Sequence, residues 1–149
     1  VWFRWPACFI GRGGGARAGQ PGVRFEDIAD ETFVMVPNGC GLAKATRALF
    51  RSRRRKLNEY PGEALSYQVL EEWAALGLGA AILPRSKLQA GQSRACALTD
   101  KAGRVLTLDF EAVWLERLDG AQAPAHLRQF AEHLTGCPET VPHETGGQT

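Results

Sequence analysis

Twice along the middle of this chain, apolar residues recur at helical spacing and then give way to a short, wholly apolar run. In "GEALSYQVLEEWAALGLGAAILPRS", Val69, Leu70, Trp73 and Leu76 fall on one helical face, with Gln68, Glu71, Glu72 and Ala75 opposite. The spacing predicts a helix over 66–76, with Ser66 as its cap and Gly77 as the left-handed residue that ends it. Ala80 to Leu83 then reads as a strand covered on both faces and closed by Pro84, with Gly79 allowing helix and strand to pack closely. Upstream, Phe25 and Ile28 make one helical turn, and Phe33 to Val36 form a buried strand stopped by Pro37. A second helix begins at Gly41 or Leu42. Its inner face is Leu42, Ala45, Leu49 and Phe50, and Lys44, Arg47 and Arg51 lie outside. A further strand falls near 58–65. Strands alternating with helices predict an α/β lobe, its mainly parallel sheet flanked by helices.

The two ends read differently. "VWFRWPACFI" suits a strand, and "GRGGGARAGQPG" is a connecting loop, because glycine at that density disfavours regular structure. Gly11, Gly13 and Ala16 approach a dinucleotide-binding pattern, but neither a following helix nor a suitably placed acidic residue supports it. Toward the other end, Leu106, Leu108, Phe110, Ala112 and Trp114 alternate onto one face of a strand. A closing helix opens at Pro124 and carries the stripe Leu127, Phe130 and Leu134. The organisation expected is a strand and Gly-rich connector over 1–22, a lobe over 23–99, a returning strand and helix over 100–135, and a tail over 136–149.

Composition narrows the function. With 44% hydrophobic and 23% charged residues among 149, the balance is that of a soluble globular protein, and no apolar run is long enough to cross a bilayer. A formal charge of +2 is too small to argue for a nucleic-acid surface. The run Arg53-Arg54-Arg55-Lys56 complements a helix C-terminus, with phosphate binding as the alternative. Cys8, Cys40, Cys96 and Cys137 make no CxxC pair, and no cationic leader opens the chain, so reduced thiols in the cytoplasm are expected. His126 and His133 share the last helix without a metal-ligand pattern, His143 sits in the tail, and Glu71-Glu72 and Asp109/Glu111 suit solvated faces. Cys40, at a helix start, is the one nucleophile worth testing, but no second cysteine follows closely to resolve an oxidised thiol. The expectation is a protein without catalysis, cofactor or metal.

The stretches "FEDIADETFVMVPNGCGLAKATRALF" and "GEALSYQVLEEWAALGLGAAILPRSKL", followed by "LDFEAVWLERLDGAQAPAHLRQFAEHL", together resemble the effector-binding domain of bacterial LysR-type transcriptional regulators over roughly residues 23–135. The resemblance implies a periplasmic-binding-protein-like fold: one lobe, plus a strand and helix belonging to an incomplete second lobe. It implies a ligand-sensing role, with DNA reached only through an N-terminal winged helix-turn-helix that this sequence does not contain. It also places the ligand site in the cleft between lobes. The matching positions are Asn38, Gly39, Cys40 and Gly41 after the first strand, Ser66 and Tyr67 after the second, and Pro84 beyond the third.

The residue chemistry agrees. Two helix N-termini would converge there with unpaired amides, Ser66 adding a hydroxyl and Tyr67 a flat face with a polar tip. A small polar or anionic effector suits such a site, though Ser66 as a cap and Asn38-Gly39 as a turn explain the same residues. Other readings are a stand-alone truncated partner of a full regulator, a two-lobed solute receptor, and a Cys40-dependent sensor or enzyme. The apolar strand and helix at the end of the chain suggest a homo-oligomer, most simply a two-fold dimer, the alternative being that the strand folds back onto its own lobe.

Overall fold

The computed structural model describes residues 2–14, 20–89 and 94–111, together with 125–126, 129, 133 and 140–141. The chain divides into two compact units, Trp5–Leu108 and a smaller one made of Val1–Arg4 and Asp109–Thr149. The elements in chain order are β1 (Trp2–Ile10), β2 (Gly22–Arg24), α1 (Phe25–Ile28), β3 (Thr32–Met35), α2 (Gly41–Ser52), β4 (Asn58–Glu63), α3 (Tyr67–Ala75), β5 (Ala81–Pro84), β6 (Ala95–Thr99), β7 (Thr107–Glu111) and β8 (Thr140–Val141).

In the larger unit, β3 pairs parallel with β4, and the bridge Phe33↔Ala80 continues the parallel order to the start of β5. On the other side β2 and β6 also pair parallel. Between these halves runs β1, antiparallel to both: Cys8 lies opposite Leu83 of β5 and opposite Ala97 of β6. The alternation of strand and helix thus gives parallel pairs on either side, and the first strand joins them as an antiparallel member. Among the described residues β4 pairs with β3 alone, and it lies exposed or half-buried, so the ring of Pro61, which has no N–H, disturbs no central ladder.

The core follows the predicted faces. Leu42, Ala43, Ala45, Thr46, Leu49 and Phe50 of α2 are buried, and Lys44 is exposed. Phe50 meets Phe25 and Phe33 edge to face, with ring centroids 4.8 and 5.2 Å apart, and Phe33 in turn meets Phe9 at 6.3 Å. Burying each such ring contributes about 2–3 kcal/mol, and the edge-to-face geometry adds about 1 kcal/mol per pair. This cluster fastens α1, α2, β1 and β3 together.

Two local expectations are corrected. α3 buries Leu70, Glu71 and Ala74, while Leu76 is 77% exposed. The inward face is turned because Glu71 anchors the chain after β5: its carboxyl oxygen accepts from Gln89 N at 3.2 Å. Gly79 is needed not by a helix but by the neighbouring strand. A Cβ there would meet Thr32 O at 2.8 Å and Val34 N at 3.2 Å, both backbone atoms. Gly77 has the expected left-handed backbone, at φ 85°. The Gly-rich loop forms a single 3-10 turn, Arg12–Gly14, among its described residues. Arg12 Nε donates to Gly77 O at 2.5 Å, so a cation closes the C-terminal end of α3.

The basic run ends α2 as anticipated: Arg54 takes a left-handed backbone at φ 54°, and Arg55 pairs with Asp30 at 2.6 Å. The returning strand β7 lies beside β1, where Ala7 N donates to Leu106 O at 2.9 Å, and Leu106 and Leu108 are buried within the chain. That half of the apolar face follows the fold-back alternative. Ala112, Trp114, Pro124, Leu127, Phe130 and Leu134 lie outside the described residues. In the smaller unit, Trp2 and Phe3 pair antiparallel with β8, and Arg4 pairs with Asp109 at 3.4 Å.

Candidate functional site

Because β3, β4 and β5 run parallel, their carboxyl ends share one edge of the larger unit. Three chain segments leave that edge: Val36 to Cys40 into α2, Ala64 to Ser66 into α3, and the 3-10 turn Arg85–Lys87 after β5. Small ligands of open α/β sheets bind at such an edge.

The first segment is a tight turn in which Cys40 N donates to Pro37 O at 2.8 Å, leaving Asn38, Gly39 and Gly41 exposed. Cys40 is the N-cap of α2 with an extended backbone, and its side chain makes no capping bond. No acidic residue occupies the first turn, so nothing on the helix itself answers the partial positive charge at its start. At α3 the cap is made: Ser66 Oγ accepts from Val69 N at 3.1 Å, and the first turn again lacks an acid.

The two helix starts are joined by side chains. Cys40 Sγ and the Tyr67 hydroxyl lie 3.6 Å apart, a hydrogen bond in which either group can donate. Burial, and then the Cys40 contact, push the Tyr67 hydroxyl up to about 12, so it is a neutral donor at every physiological pH. Pro84 differs from the others: it is buried in β5 opposite Ala7 and has no N–H to offer a ligand. The six remaining predicted residues sit at the two helix starts, with Cys40 and Tyr67 in direct contact.

Sequence reading passed over the cations of the third segment. Arg85 and Lys87 are exposed, and Lys87 Nζ stands 5.9 Å from the Trp5 ring centroid. Arg85 is close enough to Cys8 to draw that thiol down, although burial dominates and pushes it up. The signal was available, since Arg85 follows an apolar run as Asn38 follows another. Cys8 and Cys96 are buried, and their register places them on opposite faces of the β1–β6 pair, so they are inert packing residues. An interior void of about 10 Å³ between β3, β5, α2 and α3 has room for at most one water and is not a ligand site.

The family model for the LysR substrate binding domain matches residues 1–136. The chain belongs to the LysR substrate-binding domain family. The match begins before residue 23, where the sequence resemblance was drawn, and so takes in β1, consistent with the central place of that strand in the sheet. No curated protein sequence matches the chain. Among solved structures, the Synechocystis PCC6803 CcmR regulatory domain in complex with 2-PG is similar over 89% of this chain and 64% of that one, with 18% identity and a TM-score of 0.58. The effector-binding domain of QuiR in complex with shikimate is similar over 87% and 59%, with 13% identity and a TM-score of 0.57. The BenM effector-binding domain with its effector benzoate is similar over 96% and 69%, with 13% identity and a TM-score of 0.55. These likenesses are of fold. The chain spans 59–69% of the length of these three structures.

Proposed function

We propose that this chain is the effector-binding part of a LysR-type transcriptional regulator, and that it takes a small anionic effector at the N-termini of α2 and α3. The observation that carries this reading is the pairing of two helix starts, neither with an acid in its first turn, through the Cys40–Tyr67 contact at the carboxyl edge of parallel strands. The amides at the start of α2 would bind the anionic end, Tyr67 would donate to it, and Asn38, Gly39 and Ser66 would complete the polar rim. Pro84 would serve as an apolar wall, and Arg85 would attract the anion to the edge. Shikimate and benzoate, held by QuiR and BenM, are both carboxylates, in keeping with this chemistry.

The regulator would act in the cytoplasm and reach DNA through a separate winged helix-turn-helix. No helix among the described residues is long and apolar enough to cross a membrane. A sensing role without catalysis accords with family membership. Homodimer formation belongs to the same proposal, but Leu106 and Leu108 are already covered within the chain, so the contact would use other surface. Light scattering across a dilution series tests it.

Calorimetric titration with small carboxylates, shikimate and benzoate included, tests the site. Tyr67→Phe should weaken a binding carboxylate by about tenfold, the loss of one hydrogen bond to a charged group. An affinity untouched by Tyr67→Phe and by Ser66→Ala would remove the ligand from these helix starts.

A further inference from the structure

The third segment at the carboxyl edge carries charge that the helix starts do not use. β5 lies between β3, reached through the Phe33↔Ala80 bridge, and β1, whose Ala7 stands opposite Pro84. Because β1 runs antiparallel, Trp5, two residues before Ala7, lies beyond the carboxyl end of β5, on the side away from β3. The turn Arg85–Lys87 leaves β5 at this point, and Lys87 Nζ stands 5.9 Å from the centre of the Trp5 ring. That is the outer limit, about 6 Å, of a cation–π contact, and Lys87 is exposed, so the ring holds the ammonium weakly. Neither Arg85 nor Lys87 makes an ion pair with a carboxylate among the described residues.

The segment itself is fixed in place. Glu71, only 2% exposed within α3, accepts from Gln89 N at 3.2 Å. Glu71 follows Tyr67 by four residues, about 6 Å along the helix axis. A buried carboxylate thus ties the end of the segment to the first turns of α3, and Lys87 lies in the chain between that tie and the end of β5. The start of α2 follows β3, and β3 is one strand spacing, about 4.8 Å, from β5. The flexible four-carbon stem of a lysine spans such a distance.

Charge counting sets what a ligand at this edge must carry. Each helix start offers roughly half a positive charge, so the two together answer one anionic group. Arg85 and Lys87 remain for a second. We infer, resting on the helix-start site proposed above, that Lys87 is a second anchor for the effector and that the effector is a small dicarboxylate. One carboxylate sits at the starts of α2 and α3. The other draws the Lys87 ammonium off Trp5 and across the end of β5, with Arg85 adding positive charge beside it. A monocarboxylate fills the helix starts and leaves Lys87 on the ring.

Calorimetric titration of the whole chain with succinate, glutarate, adipate and the monomethyl ester of each tests the inference, with tryptophan emission followed in parallel. At least one dicarboxylate should bind saturably, and its ester, which lacks one charge, about tenfold more weakly. Lys87→Gln, an exposed substitution, should weaken the dicarboxylate to the level of its ester and leave the ester unchanged, whereas Lys87→Arg, which keeps the charge, should preserve the preference for the dicarboxylate. The emission of Trp5, taken as the difference between the parent protein and Trp5→Phe, should change with the dicarboxylate and not with the ester. Tyr67→Phe should weaken both ligands alike, which reports on the helix starts separately. Dicarboxylate and ester of equal affinity, both weakened by Tyr67→Phe, would overturn the second anchor and leave the helix-start site standing. So would Lys87→Gln with unaltered dicarboxylate affinity, or a bound dicarboxylate that leaves Trp5 emission unchanged. Absence of saturable dicarboxylate binding at millimolar ligand would overturn the inference as well. Binding indifferent to Tyr67→Phe would overturn both the inference and the site on which it rests.

Discussion

Gly79→Ala is the substitution whose cost can be worked most directly from the geometry. The added methyl would stand 2.8 Å from Thr32 O, 3.1 Å from Val34 Cγ2 and 3.2 Å from Val34 N. Two of these are backbone atoms of β3, so no rotamer change relieves them. Relief requires β5 and β3 to separate by about 0.6 Å, the gap between 2.8 Å and the 3.4 Å at which contact becomes ordinary. Two hydrogen bonds hold those strands at that point, Ala80 N to Thr32 O and Val34 N to Ala80 O, each 2.8 Å. Overpacking of this kind costs about 1–3 kcal/mol, and stretching the two bonds adds about 1 kcal/mol, giving about 2–4 kcal/mol in all. For a unit of this size that is a fall in Tm of about 10–25 °C. Urea denaturation monitored by circular dichroism is the assay, with Gly39→Ala as control. A Cβ at Gly39 meets nothing within 4 Å, and its cost should be within about 0.5 kcal/mol of zero. A loss below about 1 kcal/mol for Gly79→Ala, or one equal to that of the control, would refute the claim that this glycine sets the spacing of β5 against β3.

Other outcomes follow from single contacts. Ser66→Ala should cost about 1 kcal/mol of stability through the lost bond to Val69 N, read from urea midpoints at constant m. Tyr67 should ionise near 12 in ultraviolet titration, and Cys40→Ala should lower that midpoint without returning it to the ordinary 10, because burial is the larger cause. The linkage sign is that of a raised acid: the neutral hydroxyl contributes stability in full below 10, and the contribution is lost as pH rises toward 12. Cys40 should react with a thiol reagent in the native protein, whereas Cys8, buried and with its thiol pushed up, should react only on unfolding, as peptide mapping would show. Asp100→Asn should destabilise the β6–β7 turn. In the parent protein the Arg104 N–H holds the Asp100 carboxyl below the usual range, so this support is present above the ordinary carboxylate pKa and fades as acid protonates the folded form. Acid titrations of the two proteins should converge at low pH.

Much of the larger unit was legible because it obeys local rules. The apolar period of α2, the Ser66 cap and the Gly77 stop are properties of neighbouring residues, and they reappear where the sequence put them. What could not be read depends on partners distant in the chain. Glu71 looks solvated beside Glu72 until Gln89 is brought to it. Gly79 looks like a helix-packing glycine until β3 is laid alongside. The helix starts were predictable individually, and the alternation argued for one edge, but the Cys40–Tyr67 contact spans 27 positions and no periodicity encodes it. Glu26, Arg53 and Asp100 belong to three unrelated stretches, and only the fold brings them to one cleft. The first strand was read as a strand, yet its role at the centre of the sheet follows from pairings with β5 and β6 that lie more than seventy residues downstream.

The proposed site holds a small anion where α2 and α3 begin. The most direct test is to follow the backbone amide resonances of the folded chain by NMR while titrating a panel of small carboxylates, benzoate and shikimate among them. The expected result is saturable binding of at least one member, with the largest shifts at the amides of Gly41, Leu42, Tyr67 and Gln68 and little change at Lys101 to Arg104. Saturable carboxylate binding whose largest shifts fall away from both helix starts, or a flat response across the whole panel, would contradict it.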